Sequence, residues 1–197
     1  MCGRFALHAS AEEVARQFGL PDVPEFAPRY NISPAAQALV VKPDGAALLK
    51  WGWRGKTHNL RSETAPTRRR CLVPASGFYE WRRVGSGKQP YYVRPALERL
   101  FGFAGVWDGD TFAILTVTAN QALRGIHHRM PVIIAHQRYA AWLAGEAGLL
   151  VPAPDENVSA HPVGAEINSG AAESPRLVEP LDSGLAEHGR SGSLFGD

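Results

Sequence analysis

Short apolar runs that alternate with tight turns constrain the fold of this chain more than any other feature of its sequence. Turns at residues 43–45, 85–87 and 108–110 each contain glycine and lie between two strand-like runs, which is the pattern of β-hairpins. Strands joined by such short turns run antiparallel to each other. The runs predicted to be strands are residues 37–42, 46–53, 71–74, 78–83, 90–94, 100–107, 111–118 and 132–135.

Signals for helices are few and short in this sequence. Ser10 and Glu13 form a capping-box pattern that predicts a short helix ending at Gly19, and residues 137–145 predict a second one. Residues 21–34 are rich in proline and are predicted to be a loop. Many hairpin-linked strands with few helices predict the α+β class, as a single domain with an antiparallel β-rich core and a few short peripheral helices.

The chain divides into one predicted domain and a short tail. Its 197 residues are enough for one domain, which we assign to residues 2–180. Residues 181–197 are rich in serine and glycine, so they are predicted to form a disordered C-terminal tail. Within it, Leu194 and Phe195 are similar to the end of bacterial peptides that bind sliding clamps, which predicts a weak clamp contact. The alternative is that this pair folds back onto the domain or has no role.

Charge and cysteine content narrow the classes of protein that this chain can belong to. A formal net charge of +2 and a pI near 8.7 permit a nucleic-acid partner without requiring one. Cys2 and Cys71 are too few for a disulfide framework and lack the spacing of metal ligands, so no metal or other cofactor is predicted. The sequence has no signal core and no apolar run near the ~18 residues of a membrane span. We therefore expect a cytoplasmic, monomeric protein with reduced thiols and no membrane segment.

Cys2 follows the initiator methionine directly, and its small side chain permits the removal of Met1. The result would be an amine and a thiol on one residue. Such an aminothiol condenses with an aldehyde to an imine, on which the thiol closes a five-membered thiazolidine. Gly3 allows close approach, and Arg4 adds a cation that suits an anionic ligand such as a phosphate. The alternative is a chance cysteine in a flexible terminus.

Two further segments carry groups suited to chemistry. In an extended segment, Asn59, Arg61 and Glu63 would share one face and could orient an amine and grip a phosphate, although a solvated loop would have the same composition. Glu80 lies in an aromatic, strand-like stretch that would raise its pKa toward neutrality and suit it to proton transfer. The alternative for Glu80 is an ion pair with a nearby arginine, such as Arg82.

Two adjacent histidines, His127 and His128, precede a short apolar run. Adjacent side chains point in different directions, so at most one of them is expected to face a common site, as a proton shuttle. No second ligand follows at i+4, and a metal site is not predicted.

Basic residues also alternate with tryptophans along the chain. Such a pattern suits single-stranded nucleic acid, with cations on phosphates and rings stacked on bases. Core tryptophans beside a solvated arginine rim are the alternative. The basic positions are 68–70, 82–83 and 88, and the tryptophans are Trp51, Trp53 and Trp81.

Taken together and in this order, seven short motifs resemble those of the SRAP (SOS-response-associated peptidase) family. They are residues 1–5, 29–31, 51–53, 59–64, 71–74, 77–81 and 127–131, and residues 167–180 are similar to the family's closing segment. The resemblance implies a protein that senses abasic sites in single-stranded DNA during the DNA damage response. Such a protein crosslinks itself to the ring-opened sugar aldehyde and protects the lesion.

The resemblance also implies roles for individual residues. Cys2 would be the nucleophile that supplies both amine and thiol, and Asn59 would orient the terminal amine. Glu80 would be the acid/base, and His127 would handle protons on the sugar during ring opening and reversal.

The DNA-contacting positions are implied in the same way, with Arg4, Arg61 and Arg129 matching phosphate contacts and Trp81 lying beside the DNA path. The family is also credited with cleaving off its own Met1. Around residues 53–58 and 65–67 this sequence is shorter than the family's usual pattern, which removes part of the surface that would wedge DNA strands apart. Two alternatives stay open: a peptidase that acts on other amide bonds, and a non-covalent single-stranded DNA-binding module.

Overall fold

The computed structural model describes residues 2–181, which contain thirteen strands and three α-helices. The strands are β1 (Arg4–Leu7), β2 (Arg29–Ile32), β3 (Gln37–Lys42), β4 (Gly45–Trp51), β5 (Asn59–Arg61), β6 (Arg70–Ala75), β7 (Gly77–Val84), β8 (Gly87–Pro95), β9 (Phe101–Asp108), β10 (Thr111–Thr118), β11 (Arg129–Pro131), β12 (Ile133–Ile134) and β13 (Val158–Pro162). The α-helices are α1 (Ala11–Phe18), α2 (Gln121–Arg124) and α3 (Tyr139–Leu143), and short 3₁₀ turns lie at His136–Arg138, Asp155–Asn157, Ala165–Asn168 and Pro175–Val178. The predicted α+β class, rich in antiparallel strands with short helices, is confirmed.

The larger sheet closes on itself. β4, β3, β6, β9 and β10 pair in that order, and β10 pairs again with β4, so these strands form a ring. All of these pairings are antiparallel except the one between β10 and β4. β5 also runs parallel to β10, directly after the stretch of β10 that pairs with β4.

β4 and β5 therefore lie end to end along the same edge of β10. Trp51 lies opposite Phe112 in β10, and Asn59 lies opposite Ile114 only two residues further along. Residues 52–58 leave the sheet between these two points. This excursion begins the shortened region seen in the sequence, and its return to the sheet sets the position of Asn59.

The smaller sheet has the strand order β13-β8-β7-β1-β2 and is antiparallel throughout. β2 lies within residues 21–34, so the prediction of a loop over that whole range was wrong. Prolines flank this four-residue strand on both sides, so the local composition predicted a loop. The strand is held from outside by Glu173, whose carboxylate accepts from Arg29 Nε at 2.8 Å and from the Tyr30 backbone N–H.

An aromatic cluster joins the two sheets. Phe5 and Phe78 come from β1 and β7, while Trp51 and Phe103 come from the ring, and all four side chains are fully buried. The ring centroids of Phe5 and Trp51 are 5.1 Å apart, and those of Phe78 and Phe103 are 5.7 Å apart. Trp51 is therefore a core residue, as the alternative prediction of core tryptophans stated, and is not available to stack on a base. Truncating a buried aromatic of this kind to alanine costs about 3–5 kcal/mol.

Local sequence signals set the ends of α1. Ser10 caps its N-terminus through a reciprocal capping box with Glu13, and Gly19 ends it at a φ of 65°, as predicted. The predicted second helix over 137–145 is a 3₁₀ turn followed by α3. The tail, with its predicted disorder and clamp contact, lies outside the described residues from position 182 onward. Among the helices that are described, none is both long and apolar enough to cross a membrane.

Candidate active site

The fold brings Cys2, Asn59, Glu80 and His127 together: Asn59 lies in β5 and Glu80 in β7, while Cys2 precedes β1 and His127 precedes β11. Asn59 Nδ2 donates to the carbonyl oxygen of Cys2 at 2.6 Å, and His127 Nδ1 lies 3.8 Å from Glu80 Oε1. The charge of Glu80 acts on the Cys2 thiol and raises its pKa, second only to burial. Residues far apart in the sequence therefore form one connected group.

Cys2 lies two residues before β1 and is fully buried. Burial, followed by the charge of Glu80, raises the pKa of Cys2 well above its usual range. The sulfur lies 3.6 Å from the Arg4 carbonyl oxygen, to which the thiol donates. At neutral pH this side chain is a protonated thiol, so its nucleophilic use requires a neighbouring base.

Asn59 presents a fixed amide to Cys2. The side chain is only 5% exposed, and its amide nitrogen is held by the Cys2 carbonyl oxygen. The other end of the amide, Oδ1, is buried and has no hydrogen-bond partner among residues 2–181. A buried acceptor left without a donor costs about 1–3 kcal/mol, so this oxygen is an available site for an additional N–H group next to Cys2.

The carboxyl group of Glu80 is buried among apolar side chains. It is 4% exposed, and Phe78, Val93 and Leu123 line the small cavity that it shares with His127. Burial raises the pKa of Glu80 to about 7. The alternative ion pair with Arg82 is not favoured, because Arg82 is exposed and lies over the Tyr91 ring, 5.7 Å from its centroid.

β7 reaches this position because its first residue has no side chain. A β-carbon built on Gly77 would collide with the Tyr92 ring and with the Val93 carbonyl oxygen in the neighbouring strand β8. Glycine therefore lets β7 pack closely against β8, which places Phe78 and Glu80 toward the shared core.

Of the two adjacent histidines, His127 is the one that contacts Glu80. Its Nδ1 lies 3.0 Å from the backbone nitrogen and 3.1 Å from the carbonyl oxygen of Arg129, and these contacts fix the orientation of the ring. Burial lowers the pKa of His127, so the ring is neutral at pH 7. His128 is exposed and packs on the outer side of the pair, with the ring centroids 4.4 Å apart.

Arg4 and Trp81 both donate hydrogen bonds to the segment that contains Ile167 and Asn168. Arg4 Nη1 donates to Asn31 Oδ1 at 2.7 Å and contacts the Ile167 carbonyl oxygen at 3.4 Å. Trp81 Nε1 donates to Asn168 Oδ1 at 2.8 Å. Both side chains stay partly exposed beside the site.

Asn31 is a positioning residue that reasoning from the sequence missed. It is 1% exposed, and besides Arg4 it binds the backbone carbonyls of Ser169 and Ala172 at 3.0 and 2.8 Å. It thereby ties β2, β1 and the closing segment together. An asparagine between two hydrophobic neighbours of a short strand was the available signal, but the strand itself was not predicted.

Arg61 and Arg129 differ in their surroundings. Arg61 is exposed at the end of β5. Arg129 is 8% exposed and forms a bidentate ion pair with Glu63, with Nη–Oε distances of 2.6 and 2.9 Å. Contact of either arginine with a phosphate stays a prediction. Within residues 2–181, no group of three or more His, Cys, Asp or Glu side chains is arranged to hold a metal ion.

The raised pKa of Glu80 predicts a pH-dependent loss of stability. The folded chain keeps this proton up to about pH 7, whereas a glutamate with its ordinary pKa loses it near 4.5. Between these values the folded state binds more protons than the unfolded state, so the free energy of unfolding falls as the pH rises. Thermal unfolding at about pH 5 and pH 8 should show that Glu80→Gln gains Tm relative to the wild type at the higher pH.

The matched control for this measurement is Glu12→Gln, because the Glu12 side chain is 89% exposed. Its Tm should follow that of the wild type at both pH values. Parallel Tm curves for Glu80→Gln and the wild type would contradict the raised pKa.

Comparison with known proteins identifies a family that this chain matches over most of its length. A family model described as SOS response associated peptidase (SRAP) matches residues 1–170. The abasic site processing protein YoaM of Bacillus subtilis is 30% identical over 222 residues, covering 91% of this chain and 98% of that protein. The abasic site processing protein HMCES of Gallus gallus is 29% identical, covering 94% of this chain and 79% of that protein.

Solved structures share the fold. A protein from Bacteroides thetaiotaomicron superposes with a TM-score of 0.82 at 24% identity, covering 91% of this chain and 100% of that chain. A phage-related protein from Bordetella bronchiseptica superposes with a TM-score of 0.67 at 29% identity, covering 82% and 94% of the two chains. The two-sheet arrangement that builds the site is therefore common to these proteins.

Proposed function

Because the chain belongs to the SOS response associated peptidase (SRAP) family, we propose that it processes abasic sites in single-stranded DNA by forming a covalent crosslink through Cys2. The crosslink is a thiazolidine that protects the lesion during the DNA damage response. The observation that carries this proposal is the convergence of an N-terminal cysteine, a buried amide, a carboxyl group of raised pKa and a neutral histidine in one site.

The proposed reaction begins once Met1 has been hydrolysed off. The freed amine of Cys2 attacks the C1′ aldehyde of the ring-opened sugar and forms a carbinolamine, which loses water to give an imine. The imine forms protonated; the Cys2 sulfur then bonds to its carbon while the thiol's proton passes to Glu80, and this closes the thiazolidine with a neutral ring nitrogen. One water molecule is released overall, and no oxidant or cofactor is consumed.

Glu80 and His127 divide the proton transfers. With a pKa of about 7, Glu80 exists in both protonation states at neutral pH. It can protonate the departing hydroxyl of the carbinolamine and then accept the proton of the buried thiol. Neutral His127 can take up the proton of the C1′ hydroxyl and deliver a proton to the sugar ring oxygen as the ring opens, so that the histidine ends as it began. Asn59 Oδ1 accepts from the freed amine and aims it at the aldehyde.

The DNA strand is held by side chains around this group. Arg4, Arg61 and Arg129 bind backbone phosphates, and Trp81 packs beside the strand. Charge-assisted hydrogen bonds from guanidinium groups fix the register of a strand without reading its sequence. This fits a protein that must recognise a missing base rather than a particular one.

A single experiment tests this function against the two alternatives. Purified protein is incubated with a single-stranded oligonucleotide that carries one abasic site and is then resolved on a denaturing gel. A heat-stable shifted band is expected. DNA binding without a shifted band would favour a non-covalent module, and cleavage of unrelated peptides without any DNA adduct would favour a peptidase.

The mature chain is expected to begin at Cys2, because a blocked amine cannot form an imine. Intact-mass measurement of the protein before and after crosslinking checks this. The crosslinked species should have lost the mass of one methionine residue. A crosslinked species that retains Met1 would contradict the aminothiol mechanism.

A further inference from the structure

Glu63 and Arg129 form an ion pair with unequal exposure. The carboxylate accepts from Nη1 and Nη2 of the guanidinium at 2.6 and 2.9 Å. The Arg129 side chain is 8% exposed, whereas that of Glu63 is 52% exposed. The anion is thus the partner that can leave to solvent, while the cation is fixed in the wall of the site.

Both terminal nitrogens of Arg129, Nη1 and Nη2, are already engaged, while the remaining nitrogen, Nε, is buried out of reach of a ligand. Besides Glu63, Nη2 contacts the Thr116 carbonyl oxygen at 2.6 Å. The bidentate fork of an arginine matches a carboxylate and a phosphate equally well. A phosphate can therefore bind this fork only by taking the place of the Glu63 carboxylate.

The position of the pair relates it to the proposed chemistry. The backbone N–H and carbonyl oxygen of Arg129 lie 3.0 and 3.1 Å from His127 Nδ1. The hydrogen bonds from Arg129 chiefly hold the pKa of Glu63 low, at about 2, and the charge of Arg61 adds to this effect. The Glu63 carboxylate therefore occupies an anion position on the side chain of Arg129, the residue whose backbone contacts His127.

We propose that Glu63 is an internal substitute for a DNA phosphate. It occupies the Arg129 fork in the DNA-free protein and is exchanged for a phosphodiester when single-stranded DNA enters. The exchange keeps binding to undamaged DNA weak, since each binding event must first break the pair. This inference rests on the proposed function only in taking single-stranded DNA as the ligand.

Binding of an undamaged single-stranded oligonucleotide, followed by fluorescence anisotropy, tests the exchange. Glu63→Gln should lower Kd about 2- to 5-fold, the effect of losing one partly exposed ionic competitor. The control Glu12→Gln removes an equal charge from a side chain whose ion-pair distance to Arg16 is 4.0 Å, and it should change Kd less. In an Arg129→Met background, Glu63→Gln should give no gain beyond that control.

A second variant and a kinetic readout keep the test independent of the folding of Arg129→Met. Glu63→Asp has a carboxylate too short to span both Nη atoms from the same backbone position, so it should give an intermediate Kd. With abasic DNA, Glu63→Gln should lower the DNA concentration for half-maximal crosslinking rate by the same factor as Kd. A merely structural pair would instead lower Tm and the maximum rate.

The outcomes separate this inference from the proposed function. Equal Kd values for Glu63→Gln and Glu12→Gln would overturn the exchange, even if the wild type crosslinks abasic DNA normally. Tighter DNA binding by Glu63→Gln in a protein that never crosslinks would support the exchange and overturn the covalent function instead.

Discussion

Replacing Cys2 by alanine is expected to abolish the heat-stable adduct with abasic DNA. The thiazolidine needs a sulfur on the same residue as the reacting amine, and Cys71, the chain's other cysteine, is buried in β6 at a different place in the fold. The variant keeps the arginines that are proposed to hold phosphates, so weak non-covalent binding should remain. A denaturing gel measures the first property, and fluorescence anisotropy with the same oligonucleotide measures the second.

Cys2→Ser provides the matched control for this loss. Its amine can still condense with the aldehyde, so an imine should form that is trapped only when a hydride reducing agent is added. Equal heat-stable crosslinking by wild type, Cys2→Ala and Cys2→Ser would rule out participation of the thiol.

Features set by neighbouring residues were predictable from the sequence. The capping box at Ser10 and the stop at Gly19 fix α1 through contacts within one or two turns of helix. The hairpin of β3 and β4 likewise follows from the turn between Lys42 and Gly45, where the ladder closes. Each of these elements is decided by a few consecutive side chains and backbone angles, which the sequence displays directly.

Features set by long-range pairing were not predictable. β2 is a strand because β1 and Glu173 satisfy it from outside, and nothing between its flanking prolines indicates this. The parallel alignment of β5 beside β10 depends on the return of the chain at His58, whose carbonyl oxygen accepts from the Ile114 backbone N–H. Local propensity carries no information on such pairings.

The candidate site was likewise predictable in part: its residue types follow from the sequence, but their arrangement does not. The sequence identified Cys2, Glu80 and His127 as residues of reactive or titratable type. The aromatic residues around Glu80 in the sequence predicted its apolar surroundings. Their mutual distances depend on how the two sheets meet, which only the fold shows. The bidentate partner of Arg129 also follows from tertiary structure, because Glu63 reaches it across 66 positions of sequence.

Glu80→Gln and His127→Ala are each expected to slow adduct formation by roughly 10²–10⁴-fold, the usual loss when one proton-transfer group is removed. Glutamine fills the space of Glu80 but cannot exchange a proton, and alanine removes the imidazole of His127. His128→Ala is the matched control, because that ring is exposed and lies outside the His127–Glu80 contact. Single-turnover time courses on abasic DNA give the three rates. A larger loss for His128→Ala than for His127→Ala would transfer the role to the second histidine, and a wild-type rate for Glu80→Gln would remove the carboxyl group from the mechanism.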